Sequence, residues 1–181
     1  MRTDLGWSLD PGVTFLNHGS FGACPAAVLA VQREWRDRLE REPVTFLDRE
    51  LEGHLDHARK VLGAFLGADP EGIVFVPNAT TACNAVLGSL RFEAGDELLT
   101  TDHEYNAILN TVRAAADRDG ARVVLAALPF PTTGADEFVD AVMAAVTPRT
   151  RLAVLSHVTS PTGLVLPIGR ASCRERVLDH V

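Results

Sequence analysis

The sequence predicts an α/β fold, a three-layer sandwich in which helices cover both faces of a mainly parallel sheet. Three observations carry that expectation. From Gly72 onward, short apolar runs alternate with single amphipathic stretches at intervals of about 25 residues, the pattern of βαβ units. The run Gly72–Val76 is apolar without a polar alternate, as in a strand buried on both faces. Polar residues cluster just after the runs, and ligands of parallel sheets gather outside the carboxyl ends of the strands.

Composition narrows the function classes. A formal charge of −7 over 181 residues argues against nucleic acid or an anionic membrane as main partner. Apolar content of 46 % and charged content of 23 % are ordinary for a soluble globular chain. No apolar run reaches the roughly 18 residues of a membrane span, and the N-terminus lacks a signal-peptide pattern. Cys24, Cys83 and Cys173 lie far apart and make neither a disulfide framework nor a metal site. A cytoplasmic, reducing setting is the simplest expectation. Lys60 is the only lysine.

Taken in order, residues 1–23 read as irregular. Within them His18, Gly19, Ser20 and Phe21 precede Gly22, a loop that is either a turn or a ligand-facing edge. Pro25 opens a helix to about Glu42 with Val28, Val31, Trp35 and Leu39 as its buried stripe. A second helix is expected from Phe46 to Leu66, with Leu47, Leu51, Leu55, Ala58, Leu62 and Phe65 inward. His54 and His57 on it have no third ligand at a convincing spacing and read as surface or half-buried histidines. Lys60 reads as a solvated charge.

Gly72–Val76 is expected as the first strand, stopped by Pro77-Asn78. A small-residue helix follows, with Ala82, Val86 and Leu90 at helical spacing. At its start Ala79, Thr80 and Thr81 offer unpaired amides, two hydroxyls and the positive end of the helix dipole, a setting suited to a phosphate. An ordinary Asn/Thr helix cap is the plain alternative. Neither a Walker loop nor Gly-x-Gly-x-x-Gly is present. Strands are then expected at Glu97–Thr101, Arg122–Leu128 and Arg151–Val158, with helices at Tyr105–Asp119 and Ala135–Val146. One rim would thus carry the helix start, His103, and the hydroxyls around Ser156 to Thr162, a constellation for a planar cofactor bearing a phosphate.

Four segments carry a resemblance: LNHGSFGACP at Leu16–Pro25, NATTA at Asn78–Ala82, TTDHEYNA at Thr100–Ala107 and SHVTSPTGLVLPI at Ser156–Ile168. In this order they resemble the isopenicillin N epimerase-like branch of the class V aminotransferases, pyridoxal 5′-phosphate (PLP) enzymes of fold type I. The likeness covers about residues 12–168. It implies that Ala79, Thr80 and Thr81 bind the cofactor's phosphate, that His103 stacks on its ring, and that Ser160 stands near its phenolic oxygen. It also implies that His18, Gly19, Ser20 and Phe21 border the substrate pocket and that the full-length enzyme is a homodimer. Residues 1–45 would be an arm and first helix, 46–168 a partial large domain, and 169–181 an atypical tail. The family's cofactor-binding lysine and its pyridinium aspartate lie beyond the matching region, so no catalytic residue is assigned and no metal is expected. Lys60 is misplaced for that role, and Asp179 only faintly echoes the aspartate. Gly169–Val177 departs from the helix expected there and resembles translated sequencing-adaptor read-through. The expectation is an N-terminal part, inactive by itself, of an enzyme acting at the α-carbon of an amino acid. Within that class a cysteine desulfurase or β-lyase is the alternative. Outside it, the alternative is a non-enzymatic phosphate- or nucleotide-binding α/β module.

Overall fold

The computed structural model describes residues 6–132 and 134–173, without the side chains of the last three. It divides into two compact units, Met1–Phe75 and Val76–Val181. The suspected read-through is described only as far as residue 173, and Asp179 lies outside the described residues.

The second unit is the α/β sandwich. Its sheet has three parallel strands, β1 (Glu97–Thr101), β2 (Arg122–Ala126) and β3 (Thr150–Ala153), in the order β2-β1-β3. Being central, β1 is buried along its whole length. Successive strand side chains point to opposite faces, so Leu98 and Leu99 serve different cores. Leu98 packs with Leu87, Val112, Ala115 and Ala116 beneath α4 (Ala79–Ser89) and α5 (Asn106–Asp119). Leu99 packs on the other face with Phe138, Val139 and Val142 of α6 (Ala135–Ala145) and with Leu166. Helices on both faces of a parallel sheet make the expected three layers.

At the amino end of the sheet, Glu97 is wholly buried and ties the three strands together. Its carboxylate accepts from the Thr147 hydroxyl at 2.7 Å, from Arg122 at the start of β2, and from Arg149 Nε at 3.1 Å. The Thr147 hydroxyl first, and then the Arg122 guanidinium, hold this carboxyl below its ordinary range, against the opposing effect of burial. Nearby, Asp119 is lowered to about 2, chiefly by its bond from Arg118, and it also accepts the Phe92 amide at 3.1 Å.

Three expectations need correction. Gly72–Val76 joins no sheet: a 3₁₀ turn takes Pro70–Gly72, and Val74 is 79 % exposed. The segment has strand composition, but a strand exists only with a ladder partner, and none is available among the described residues. The last strand ends at Ala153 instead of Val158, because Ser156 and its neighbours turn into a loop held by Glu104 and His157. In α4 the buried contact is Leu87, whereas Val86 and Leu90 are exposed.

The first unit is helical: α1 (His18–Phe21), α2 (Ala26–Arg41), a π-helical turn at Thr45–Glu50, and α3 (Leu51–Leu66), which ends at Gly67 in the left-handed conformation. Asn17 caps α1, within a stretch expected to be irregular. Trp35, Phe46 and His54 form an aromatic cluster, with His54 edge-on to Trp35 at 4.7 Å between ring centres. The stripes expected to be buried are only partly so, with Leu39, Leu51 and Leu62 half-buried. Val28 and Val31 on α2, and Leu55 on α3, are exposed, and Phe65 is 84 % exposed. The helices have the amphipathic period, but nothing among the described residues covers it in full. A six-residue helix, α7 (Ile168–Cys173), begins where the sequence reading expected a departure from helix.

Candidate functional site

The candidate site lies at the carboxyl edge of the sheet. Three loops meet there. After β1 come Asp102, His103 and Glu104; Asp102 Oδ1 accepts the Leu128 amide at 2.9 Å, which ties this loop to the end of β2. Glu104 is buried and reaches the loop after β3, accepting the Ser156 amide at 3.1 Å and its hydroxyl at 2.6 Å. His103, half-buried between these anchors, sets its Nδ1 3.2 Å from Thr162 Oγ1 and stands edge-on to Phe130.

Residues 157–166 fold into a tight loop. Val158 bridges Val165, the Thr159 amide donates to the Leu164 carbonyl at 3.0 Å, and Gly163 closes the turn at φ +64°. That left-handed value favours glycine. Thr159 is buried beneath the loop, whereas Ser160 is exposed at its tip and no hydrogen bond joins it to His103.

α4 packs beside α5 in the same unit. Arg118, near the end of α5, donates to the Leu87 and Leu90 carbonyls at the end of α4, at 3.4 and 2.8 Å. The carboxyl ends of α4 and α5 therefore lie together. Asn78 caps α4 through Oδ1, which accepts both the Thr81 amide at 2.9 Å and its hydroxyl at 3.1 Å. Thr81 thus has its protons committed to the cap. The Ala79 and Thr80 amides and the Thr80 hydroxyl remain as donors at the positive end of the helix, Ala79 exposed and Thr80 half-buried, and they suit a phosphate group.

Of the remaining candidates, His18 is in the first unit, packed against Trp7 and Phe15 at 5.0 and 4.7 Å between ring centres, with Gly19, Ser20 and Phe21 exposed beside it on α1. Lys60 is exposed on α3. An apolar cleft of about 240 Å³ opens between α6 and residues 164–167, but it offers no charged side chain and none of the candidate residues lines it. Sequence reasoning set Glu104 and Thr162 at the strand ends but gave neither a partner. Each acts on a residue more than fifty positions away, and no local pattern announces such a pairing.

A model of the family described as "Aminotransferase class-V" matches residues 24–176. The chain belongs to the class-V aminotransferase family. Isopenicillin N epimerase of Amycolatopsis lactamdurans is 43 % identical over 171 residues, covering 93 % of this chain and 42 % of that protein. A probable chloroplastic L-cysteine desulfhydrase of Arabidopsis thaliana is 35 % identical over 188 residues, with 95 % and 40 % covered. Among solved structures, the cystine C-S lyase C-DES in complex with its product cysteine persulfide matches with a TM-score of 0.77 and 28 % identity, over 90 % of this chain and 44 % of that one. Another C-DES structure, of a mutant, holds glycine covalently linked to the PLP cofactor. The α/β unit thus has the fold of part of the large domain of fold-type-I PLP proteins. The chain spans about 40 % of the length of the curated relatives it matches.

Proposed function

We propose that this chain is the N-terminal, cofactor-docking part of a PLP-dependent enzyme that acts at the α-carbon of an amino acid, in the manner of isopenicillin N epimerase. One observation carries the reading. The ring of His103 stands at the carboxyl edge of the sheet, the end at which parallel strands present ligands, and the same unit holds a helix start with donors at Ala79 and Thr80. Bound there, the cofactor would supply an electron sink for charge that develops at the substrate α-carbon.

Each residue of this chain has a part in docking. The Ala79 and Thr80 amides and the Thr80 hydroxyl hold the phosphate, and Thr81 shapes the turn through Asn78. His103 covers the ring face. Ser160 offers a hydroxyl to the phenolic oxygen, and His18 to Phe21 border the amino-acid substrate. The cofactor's aldehyde is held by a lysine outside these 181 residues, Lys60 being an exposed residue of α3. The chain alone is accordingly inactive, and the intact enzyme works as a homodimer.

The reaction type has a second reading. Four cysteine desulfhydrase relatives, at 30 to 35 % identity, cover as much of this chain as the epimerases do, so β-elimination from cysteine is the competing chemistry. The test uses the intact protein mixed with PLP. A visible absorbance that borohydride abolishes is expected, and its absence overturns the enzyme reading in favour of a simple phosphate-binding module. Stereochemical inversion of an amino-acid residue without sulfide release supports the epimerase; sulfide from cysteine supports the desulfhydrase.

A further inference from the structure

The loop after β3 holds a chain of hydrogen bonds that ends on His103. It begins at the Leu164 amide, which can only donate and does so to Thr159 Oγ1 at 2.9 Å. Thr159 is 2 % exposed, so water does not compete for its single proton. Two acceptors do. Thr162 Oγ1 lies at 2.7 Å and the Leu164 carbonyl at 3.5 Å, and that carbonyl already accepts the Thr159 amide at 3.0 Å. An O–H···O bond is near its optimum at 2.7 Å and weak at 3.5 Å; the 2.7 Å bond can run either way, and where Thr159 donates it the Leu164 carbonyl keeps the Thr159 amide alone. With Thr162 Oγ1 accepting from Thr159, its own proton is directed at His103 Nδ1, 3.2 Å away.

We propose that Thr162, seated on buried Thr159, is a positioning residue that fixes His103 as the tautomer with a bare Nδ1 and the proton on Nε2. Neutral imidazole has one donor and one acceptor nitrogen, and the partner of one decides the role of the other. Nδ1 is turned into the loop as an acceptor. Nε2 has no partner among the described residues and is left as an outward donor. Phe130, edge-on at 6.0 Å between ring centres, limits swinging of the ring on another side. That His103 covers a cofactor rests on the proposed function; the tautomer rests only on the bonds above. Where the cofactor reading holds, His103 meets bound material with an N–H, and it serves an acceptor atom there instead of taking a proton.

The test is long-range ¹H–¹⁵N correlation on the intact protein with ring-labelled histidine, at a pH where the ring is neutral, before and after loading with PLP. His103→Asn assigns the signal by its loss. The wild type is expected to show the Nε2–H form in both conditions. In Thr162→Val the ratio of Nε2–H to Nδ1–H should fall about fivefold, the equivalent of one neutral hydrogen bond, and Thr162→Ser should restore it. A wild-type proton on Nδ1, or an unchanged ratio in Thr162→Val beside a normally folded Thr162→Ser, overturns the proposal. Failure to bind PLP would count against the proposed function and leave the tautomer measurement standing.

Discussion

At the residue scale, three side chains give measurable consequences. Thr80 contributes an uncommitted hydroxyl at the start of α4, in contrast to Thr81, whose protons are held by Asn78. A hydrogen bond to a charged group is worth roughly 1.5–3 kcal/mol, so Thr80→Ala should weaken PLP binding by about tenfold or more, and Thr81→Ala should act through the cap instead. Fluorescence titration with the cofactor checks the difference. Glu97 and Asp119 both have carboxyls held below their ordinary range, Asp119 from 3.8 to about 2. A lowered folded-state value contributes stability above the unfolded value and loses it as pH falls through the folded one. Stability should therefore decline below about pH 4, and Glu97→Gln should flatten that decline; urea melts at stepped pH measure it. Thr100 is fully buried with no partner for its hydroxyl. Replacing an unsatisfied buried hydroxyl with a methyl removes a desolvation cost, so Thr100→Val should stabilise by up to about 1 kcal/mol in the same assay. His103 and Thr80 were legible in the sequence because each follows an apolar run, where ligand-facing residues of parallel sheets fall. For Thr162 and Glu104 the sequence showed the place at a strand end but not the partner, since their partners are brought close only by folding.

At the element scale, period and composition identify what a segment can form, and its surroundings decide what it does form. Glu97–Thr101, Tyr105–Asp119 and Ala135–Val146 came out within a residue or two of expectation, because each buries its apolar face against a neighbour from the same unit. Gly72–Val76 has equal strand composition but lacks a ladder partner among the described residues. The stripes of α2 and α3 have the right period and only partial cover. A sequence pattern specifies a face and leaves open whether anything arrives to meet it. Substitution separates the two cases. Leu98→Ala, under α4 and α5, should cost about 2–5 kcal/mol by urea denaturation, whereas Val31→Ala on the open face of α2 should cost well under 1 kcal/mol in this chain.

At the scale of the whole molecule, the exposed apolar side chains of the helical unit and the unpaired outer edges of β2 and β3 make this 181-residue chain prone to self-association. Light scattering at rising concentration should show assemblies larger than a dimer, and a clean monomer throughout would contradict that expectation. The arrangement of β1 also bears on how the molecule arrives at one structure. Its sequence is written in doublets, Leu98-Leu99 and then Thr100-Thr101, and β2 repeats the device with Val123-Val124. A slip of one position would hand each helical layer the same leucine and the same threonine it has now, so oil and water scarcely distinguish the two alignments. Glu97 does, since only one alignment delivers it to Arg122, Arg149 and Thr147. A single carboxylate thereby keeps the two layers from trading places.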